Sequence, residues 1–307
     1  MNPTRTVVII YNRFAGDGKS LAMLADAQSE LSYRWVTIDC TRTDTLLTSV
    51  AALDPVLTSA IVVFGGDGTL NRCLPALRAC PIPIYLFPVG TVNDLAFQLG
   101  LEADWKQVVS MIDQARYTPV RVLEVNGCPF AVYGALGFGA DMSRYMRRTR
   151  GLLGPLRRTV PLSVGPILTL AAILLSRGPR MLRIVTDTET LELSTPGLYI
   201  ANRSRFNRTI DLGWDPESHP GKFRAIVFKA MPRRKLCRTM MRLGYFRRVE
   251  AIRASVMIID TSEMLIESMD DSPLRMFAEG EPVAEGRRLS IHAASHPMLF
   301  FGAAKAE

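Results

Sequence analysis

The sequence has few of the residues that build disulfide and metal frameworks. Its 307 residues include five cysteines and three histidines, and the cysteines are scattered, without a Cys-x-x-Cys pair or a Cys/His cluster. We therefore expect neither a disulfide framework nor a zinc site, and the odd number of cysteines fits a reducing cytoplasm. A long apolar segment near the N-terminus is also missing, because the apolar run Val7–Ile10 has only four residues. We accordingly expect no secretory leader.

Positive charge, in contrast, is in excess. Lysine and arginine number 37 against 29 aspartates and glutamates, which gives a formal net charge of +8 and an isoelectric point near 9.5. The excess favours an anionic partner, and composition does not choose among a nucleotide, a nucleic acid and an acidic membrane surface. Hydrophobic residues make up 48% of the chain, which is enough for a sizeable core, and the length accommodates two domains.

Short apolar runs alternate with helical patterns in the first third of the chain. The alternation predicts a parallel α/β sheet with helices on both faces. Ligands of such sheets bind beyond the carboxyl ends of the strands. The predicted strands are Val7–Ile10, Tyr33–Ile38, Ile61–Phe64 and Ile84–Phe87, and the predicted helices are Leu21–Leu31 and Thr45–Leu53.

A glycine-rich turn follows the third predicted strand. The segment Ile61–Asn71 reads IVVFGGDGTLN, and helical spacing of apolar residues begins at Leu70. Glycines let a ligand approach the backbone, and the N–H groups at a helix start attract anions. The turn therefore suits a phosphate chain, although a Gly-Gly pair alone is as typical of an ordinary turn between strand and helix.

A second polar turn follows the fourth predicted strand. Pro88–Ala96 reads PVGTVNDLA, in which Gly90 permits a tight turn, Thr91 offers a hydroxyl group and Asn93-Asp94 could cap the next helix. Taken alone, the segment is explained by helix capping. Since both turns end a strand of one parallel sheet, however, we expect them at the same sheet edge.

The segment after the first strand is similar to a phosphate-binding P-loop but does not match it. RFAGDGKS contains the Gly-Lys-Ser of that loop. The glycine that the loop needs further upstream is replaced by Arg13. We therefore expect no P-loop in this chain.

The two glycine turns together resemble the nucleotide-binding motifs of the diacylglycerol kinase catalytic family, which includes sphingosine and ceramide kinases and relatives of NAD kinases. GGDGTLN matches the first motif, and PVGTVNDLA matches the second with Leu95 in place of the usual phenylalanine. The resemblance implies ATP and Mg²⁺ as cofactors. It assigns nucleotide contact to Asn12, Thr41, Gly65, Gly66, Asp67, Gly68, Thr69, Leu70, Asn71 and Thr91.

Beyond Arg121 the chain changes to short β-branched or aromatic segments separated by turn residues. Such segments predict an antiparallel sandwich or barrel. The predicted fold class is an α/β nucleotide-binding domain with a parallel sheet, plus a C-terminal antiparallel β-sandwich domain. In the resembled family the active site lies in the cleft between them. We place the first domain at residues 1–122 with a returning segment, 295–307, and the β-rich, lipid-facing domain at residues 123–294.

An insert of unusual composition, residues 142–178, lies in the second domain. Six arginines precede the uncharged run Val160–Ser176, which is marginal in length for a membrane span and contains two prolines and a glycine. We interpret the run as a helical patch that lies on an anionic bilayer. The alternative is a buried helix that packs within the domain. A second basic cluster, between Arg233 and Arg248, could share the membrane surface.

The resemblance also assigns chemistry to two acidic residues. Where the family carries Asp-Gly-Glu, this chain has Glu279-Gly280-Glu281, and Glu281 is identified as the general base that takes the proton of a lipid hydroxyl. Asp67 would orient the metal ion or assist that base. Capping of the helix that begins beside it is the simpler role for Asp67.

Two positions depart from the family pattern. The acidic pair that binds an auxiliary magnesium ion in the family is replaced by His219 and Pro220. We therefore expect that auxiliary metal to be absent and magnesium to arrive with the nucleotide. Arg72 stands where the helix after the first motif usually begins with glutamate, and it either binds phosphate directly or partly disables the site.

These patterns predict an ATP-dependent lipid kinase that phosphorylates a hydroxyl group of a diacylglycerol-like, sphingoid or ceramide lipid at the membrane surface. The alternatives are a relative that binds nucleotide or lipid without turnover and a soluble-substrate kinase of NAD-kinase type. The predicted partners are the lipid acceptor and an anionic membrane surface, with a homodimer possible. Nucleic acid is not expected, because no recognised binding motif accompanies the basic clusters. We expect a cytoplasmic, peripherally membrane-associated protein.

Overall fold

The computed structural model describes residues 6–13, 33–90, 92–152, 164–176, 178–206, 208–270 and 272–302. The chain forms two compact units, one of Met1–Val122 with Ser295–Glu307 and the other of Leu123–Ala294. The helix predicted over Leu21–Leu31 lies outside the described residues.

The first unit alternates strands and helices, as the sequence predicts. Its described elements are β1 (Thr6–Tyr11), β2 (Arg34–Asp39), α1 (Thr43–Ala51), β3 (Thr58–Gly65), α2 (Asp67–Leu77), β4 (Ile84–Pro88), α3 (Asp94–Gln98), α4 (Trp105–Asp113), β5 (Tyr117–Val120) and the last strand of the chain, β20 (Met298–Phe301).

These strands form one six-stranded sheet in the order β2-β1-β3-β4-β20-β5. The central strands are continuous apolar runs, and Val7–Ile10, Ala60–Phe64 and Ile84–Phe87 are all buried. Such runs are typical of parallel strands that are covered on both faces. β3 and β4 are adjacent and parallel, so the two motif turns leave the sheet at the same edge.

The edge strand β5 is the exception to the predicted parallel sheet. It runs antiparallel to β20, whereas β20 is parallel to β4. β5 contains Pro119, which has no N–H group to donate and is tolerated best in an edge strand. The sheet therefore ends at a strand that the apolar pattern of the sequence does not predict.

The second unit is rich in short strands. Its described elements are β6 (Leu123–Val125), β7 (Cys128–Phe130), β8 (Tyr133–Gly137), α5 (Phe138–Leu152), α6 (Val164–Leu175), β9 (Arg180–Thr186), β10 (Thr190–Thr195), β11 (Gly197–Ala201), β12 (Arg205–Phe206), β13 (Ile210–Asp211), β14 (Phe223–Phe228), α7 (Arg233–Phe246), a 3-10 helix (Val249–Ser255), β15 (Val256–Thr261), β16 (Glu263–Ser268), β17 (Leu274–Ala278), β18 (Glu281–Gly286) and β19 (Arg288–Ala293).

Two six-stranded antiparallel sheets pack face to face in this unit. One has the order β10-β9-β16-β19-β6-β7 and the other β15-β14-β11-β8-β17-β18. Ile184 and Ile266 of the first sheet share one apolar core with Leu198 and Val227 of the second. The predicted combination of an α/β domain with an antiparallel β-sandwich is confirmed.

Helices cover the other face of the second sheet. Side chains alternate between the two faces of a strand, so Tyr199 and Phe228 point away from the sandwich core. They share a second apolar cluster with Phe138 of α5, Ile173 of α6 and Leu236 of α7. The second unit thus has three layers, two of sheet and one of helix.

The apolar helix α6 has one buried and one exposed side. Ala172 and Ile173 are fully buried, whereas Leu170, Leu174 and Leu175 are 44%, 52% and 65% exposed. One side of α6 therefore packs within the unit, and the other side exposes leucines. Among the described helices, none is long and apolar enough to cross a bilayer.

Candidate active site

The first motif forms the turn from β3 to α2. Gly65 ends the strand, Gly66 is the extended residue before the helix, and α2 begins at Asp67. A Cβ atom on Gly65 would lie 2.4 Å from the Cβ atom of Thr69, so only glycine fits where the helix folds back on the strand. The N–H groups of Thr69 and Leu70 close the first turn by donating to the Gly66 carbonyl at 2.9 and 3.0 Å.

The second motif turn lies directly against the first. Gly65 is opposite Pro88 in the register of β3 and β4, and the Val89 N–H group donates to the Gly65 carbonyl at 3.2 Å. A Cβ atom on Gly66 would lie 2.8 Å from the Gly90 Cα atom, and one on Gly90 would lie 2.5 Å from the Gly66 Cα atom. The two turns therefore touch through bare backbone.

Two side chains fix this contact. Asn93 has a left-handed backbone with φ of 54°. Its Oδ1 accepts a hydrogen bond from the Gly90 N–H group at 3.0 Å, and its Nδ2 donates to the Gly90 carbonyl at 2.8 Å. Asp67 Oδ2 accepts a hydrogen bond from the Asp94 N–H group at 3.0 Å. We call the set Gly65, Gly66, Asp67, Gly90, Asn93 and Asp94 the glycine junction.

The capping role expected of Asn93 is wrong. Asn93 occupies the position before α3, but its side chain makes no capping bond to that helix and bonds back to Gly90 instead. Asp67 is the first residue of α2, and its carboxylate accepts a hydrogen bond from the first N–H group of α3. Asp67 therefore joins the two motifs, and Asn93 fixes the turn of the second motif.

The structure separates the residues of the first motif into accessible and buried groups. Backbone at 66–68 is half-buried, whereas Thr69, Leu70 and Asn71 are only 6%, 2% and 6% exposed. Leu70 of the predicted ligand set has its side chain in the core, and its N–H group donates within α2. Thr91 lies outside the described residues.

Asn12 and Thr41 follow the neighbouring parallel strands β1 and β2. Arg13 forms an ion pair with Asp39, with 2.6 Å between Nε and Oδ2, and Asp39 Oδ1 accepts a hydrogen bond from the Thr41 N–H group at 3.0 Å. Partial burial raises the pKa of Asp39, but the hydrogen bonds from Thr41 and Arg13 outweigh it and hold the pKa below its ordinary value. This ion pair, which was not predicted from the sequence, links the segment that contains Asn12 to the segment that contains Thr41.

Arg72 lies in the second turn of α2 and is exposed. Since the helix already begins at Asp67, Arg72 does not stand at the helix start as the motif comparison implied. The hydrogen bond with Cys73 lowers the pKa of Cys40, and the charge of Arg72 lowers it further against the effect of burial. The Arg72 guanidinium group therefore lies near enough to Cys40, the residue after β2, for its charge to lower the pKa of that thiol.

The predicted general base lies on a hairpin of the second unit. Glu279 and Gly280 have φ of 46° and 85°, as expected for the two-residue turn that joins β17 to β18. Glu279 Oε1 accepts hydrogen bonds from the N–H groups of Val132 and Tyr133 at 2.6 and 3.1 Å. Glu281 is half-buried and begins β18. The first glutamate therefore anchors the hairpin that presents the second.

The loop that contains His219 and Pro220 is exposed and is stabilised by its own polar groups. Ser218 Oγ donates to Asp215 Oδ2 at 2.6 Å, and His219 Nδ1 lies 3.0 Å from the Asp215 carbonyl oxygen. Within the described parts of the chain, no three His, Cys, Asp or Glu side chains lie close enough together to hold a metal ion.

The glycine junction suits the phosphate groups of a nucleotide. Its backbone at 66–68 and 88–90 is half-buried, and the glycines place no side chain over it. The first N–H groups of α2 begin here and favour an anion. Asp67 adds one carboxylate, and Mg²⁺ is commonly bound by one or two carboxylates together with substrate phosphates. The residues present therefore fit a nucleotide that carries its own magnesium ion.

Comparison with known proteins points to the same part of the chain. Residues 6–125 match the family model described as the diacylglycerol kinase catalytic domain. Residues 6–125 are thus similar to the catalytic domain of diacylglycerol kinases. The matched segment contains the whole glycine junction and also Asn12 and Thr41, so the predicted nucleotide ligands lie inside the family domain.

Two curated relatives match about half of this chain. A diacylglycerol kinase of Mycobacterium tuberculosis is 27% identical over 163 residues, which cover 49% of this chain and 52% of the relative. A probable YegS-like lipid kinase of Pseudomonas aeruginosa is 28% identical over 152 residues, which cover 47% of each protein. The chain thus spans about half the length of the curated relatives that it matches.

The likeness to a solved structure extends over both units. A crystal structure of a diacylglycerol kinase from Bacillus anthracis str. Sterne aligns with 100% of this chain and 100% of its own, at a TM-score of 0.65 and 15% identity. At this level of identity the likeness concerns the fold alone. It confirms the predicted fold class, an α/β domain with a parallel sheet plus an antiparallel β-sandwich domain.

Proposed function

We propose that this protein is an ATP-dependent lipid kinase that phosphorylates a hydroxyl group of a diacylglycerol-like or sphingoid lipid at a membrane surface. The glycine junction carries the proposal. Two turns that are distant in sequence form one backbone cradle there, inside a domain of a lipid-kinase family. Phosphoryl transfer depends mainly on positioning and on neutralising charge, and a rigid cradle supplies positioning.

In this proposal the first unit binds the nucleotide. The half-buried backbone at 66–68 and at Gly90 would donate hydrogen bonds to the phosphates, and Asn12 and Thr41 would contact the nucleotide beside them. ATP with its magnesium ion would supply the phosphoryl group. The Asp67 carboxylate would orient the metal or its waters while it keeps its hydrogen bond to Asp94.

The second unit would supply the general base. Glu281 is the candidate that accepts the proton of the lipid hydroxyl, since a carboxylate positioned for this task accelerates transfer. Glu279 is a positioning residue in the same scheme. Its two hydrogen bonds to backbone N–H groups fix the turn from which Glu281 extends.

Two observations support a lipid as the acceptor rather than a soluble molecule. The relatives that match half of the chain are named as a diacylglycerol kinase and a lipid kinase. In the second unit α6 exposes leucines to solvent. Exposed leucines suit an apolar or interfacial substrate better than a soluble dinucleotide.

The decisive experiment is a transfer assay with purified protein, labelled ATP and Mg²⁺. The acceptors are diacylglycerol, monoacylglycerol, sphingosine, ceramide and a polyprenol in mixed micelles, with NAD as the soluble acceptor. We expect label in a lipid product. Glu281→Gln should lower kcat by roughly 10²- to 10⁴-fold, the usual contribution of a general base, and should leave ATP binding unchanged.

Glu285→Gln is the matched control for this variant. Glu285 lies on the same strand, is exposed and is paired with Arg275, so its loss should leave kcat unchanged. Measurable ATP binding without any labelled product would overturn the proposal in favour of a relative that has lost turnover. Labelled NAD without labelled lipid would overturn the lipid acceptor alone.

A further inference from the structure

Helix α7 carries a basic and aromatic face on the side that is turned away from its own unit. Leu236, Thr239 and Leu243 are buried, and Leu236 and Leu243 lie in the apolar cluster that packs against the outer sheet of the sandwich. At 100° per residue the opposite side is occupied by residues at i, i+4, i+7, i+8 and i+11. These are Arg234, Arg238, Met241, Arg242 and Tyr245.

The apolar residues of this face, and Phe246 at its edge, are unusually exposed. Met241 is 65% exposed, Tyr245 81% and Phe246 48%. Tyr245 and Phe246 stack edge to face with 4.9 Å between ring centroids, and the Arg242 guanidinium lies 5.7 Å from the Phe246 ring centroid. Large apolar side chains exposed side by side mark an interaction surface rather than ordinary solvated surface.

Charge decides which partner this surface fits. α7 contains Arg233, Arg234, Lys235, Arg238 and Arg242 and has no aspartate or glutamate. The apolar face of α7 is buried in the protein, so only the outer face can meet a partner, and a face of cations and aromatic rings is suited to the boundary of an anionic bilayer. There the arginines meet lipid phosphates, and tyrosine and phenylalanine enter the headgroup region.

The neighbouring helix offers a second apolar contribution. α6 packs against α7, and the Arg233 guanidinium donates to the Ser176 carbonyl at the end of α6 with 2.7 Å between the atoms. Leu170, Leu174 and Leu175 of α6 are exposed. The apolar helix α6 and the basic helix α7 therefore belong to one helical layer.

We propose that Arg234, Arg238, Met241, Arg242, Tyr245 and Phe246, the α7 outer face, bind the surface of an anionic lipid bilayer. The aromatic and methionine side chains enter the headgroup region, and the arginines contact lipid phosphates. This surface requires neither ATP nor turnover, so it stands independently of the proposed kinase activity.

Sedimentation with vesicles tests the surface directly. The full chain is mixed with vesicles of phosphatidylcholine alone or of phosphatidylcholine with phosphatidylglycerol, without nucleotide. We expect binding only to the anionic vesicles, and weaker binding as salt is raised, because salt screens the attraction. Replacing both Arg238→Gln and Arg242→Gln should weaken binding about 30-fold, since each arginine near an anionic surface contributes about fivefold.

The matched control is the pair Arg34→Gln and Arg116→Gln. Both residues are exposed arginines of the first unit, so the pair removes the same net charge from elsewhere in the chain. We expect the control to bind anionic vesicles as wild type does. An equal loss in both pairs would overturn the assignment to α7, because net charge rather than this face would then explain binding.

A second measurement reports contact rather than charge. Tyr245→Trp places a fluorophore on the α7 outer face, and brominated lipids quench only indoles that reach the bilayer. We expect additional quenching in Tyr245→Trp relative to wild type. No additional quenching, or binding to duplex DNA with none to vesicles, would overturn the proposal. Unchanged thermal unfolding of each variant without lipid shows that the fold is intact.

Discussion

Gly90 of the glycine junction and Gly244 of α7 lie in opposite environments. A Cβ atom on Gly90 would lie 2.5 Å from backbone of the neighbouring turn, whereas nothing lies within 4 Å of a Cβ atom on Gly244. The junction depends on backbone atoms that approach each other, so one methyl group should disrupt it. The helix surface depends on the sum of its side chains, so its loss of function should be gradual. Four predictions test this difference through effects on stability, from the largest to the smallest.

Gly90→Ala should have the largest effect. The new methyl group would meet the Gly66 Cα atom and the Asn93 side chain, and overpacking of this kind costs about 3 kcal/mol at its upper typical range. We expect a lower free energy of unfolding in urea and loss of ATP binding. Gly244→Ala is the matched control and should instead gain about 0.5–1 kcal/mol from reduced backbone entropy in a helix. Equal effects of the two variants would contradict the comparison.

Asp67→Ala should have the next largest effect. It removes the acceptor of the Asp94 N–H group, which belongs to a buried residue, and loss of the partner of a buried donor costs about 1–3 kcal/mol. Asp67→Asn keeps an acceptor oxygen and should retain stability while it loses the charge proposed to orient magnesium. Urea unfolding and the transfer assay together separate the two roles. Asp44→Ala is the control, because Asp44 is an exposed acidic residue in the first turn of α1. A loss of stability as large as that of Asp67→Ala would argue against a stabilising hydrogen bond between Asp67 and Asp94.

The Arg13–Asp39 ion pair should contribute less, because Arg13 is half-exposed. Exposed pairs of this kind contribute about 0.2–1 kcal/mol. The folded-state pKa of Asp39 lies below its ordinary value, so the contribution is present above the unfolded pKa of about 3.9 and is lost as pH falls through the folded value. A double-mutant cycle with Arg13→Gln and Asp39→Asn, measured by urea unfolding at neutral and acidic pH, checks this. A coupling energy that does not decline in acid would contradict the assignment.

Arg238→Gln should have the smallest effect on stability. The residue is exposed on α7, and surface substitutions of this kind usually change the free energy of unfolding by less than about 0.5 kcal/mol. The same substitution should nevertheless weaken binding to anionic vesicles by about fivefold. Thermal unfolding and vesicle sedimentation of one preparation give both numbers. A variant that loses both stability and vesicle binding would contradict the prediction that Arg238 contributes to binding and not to the fold.

Much of the fold could be predicted from local patterns. Continuous apolar runs identify β1, β3 and β4, because burial on both faces demands apolar residues at every position. Short β-branched segments between turn residues likewise indicated the antiparallel sandwich, although not each of its strands. β5 and its pairing with β20 were not predicted, since this pairing joins segments that are more than half of the chain apart and leaves no local signal.

The candidate site was predicted in composition but not in geometry. The two glycine motifs were recognised, whereas Leu70 was assigned to the ligand set and lies in the core. A helix that begins at Asp67 turns that position inward, which the motif string alone does not show. Asn93 was interpreted as a cap, although asparagine is among the few residues other than glycine that readily take left-handed backbone, and its side chain bonds to its own turn. That preference was the available signal for its actual role.

The sequence by itself determined which residues are present at the motif turns and which residues make α7 basic and aromatic, because composition and spacing are local properties. Only the tertiary structure decided that Gly66 and Gly90 touch, that Asp67 serves the helix of the other motif, and that Arg13 pairs with Asp39. These contacts join neighbouring parallel strands whose connections span many residues. Their geometry exists only after the sheet has brought the strand ends to one edge, where backbone atoms, rather than side-chain identity, set what fits.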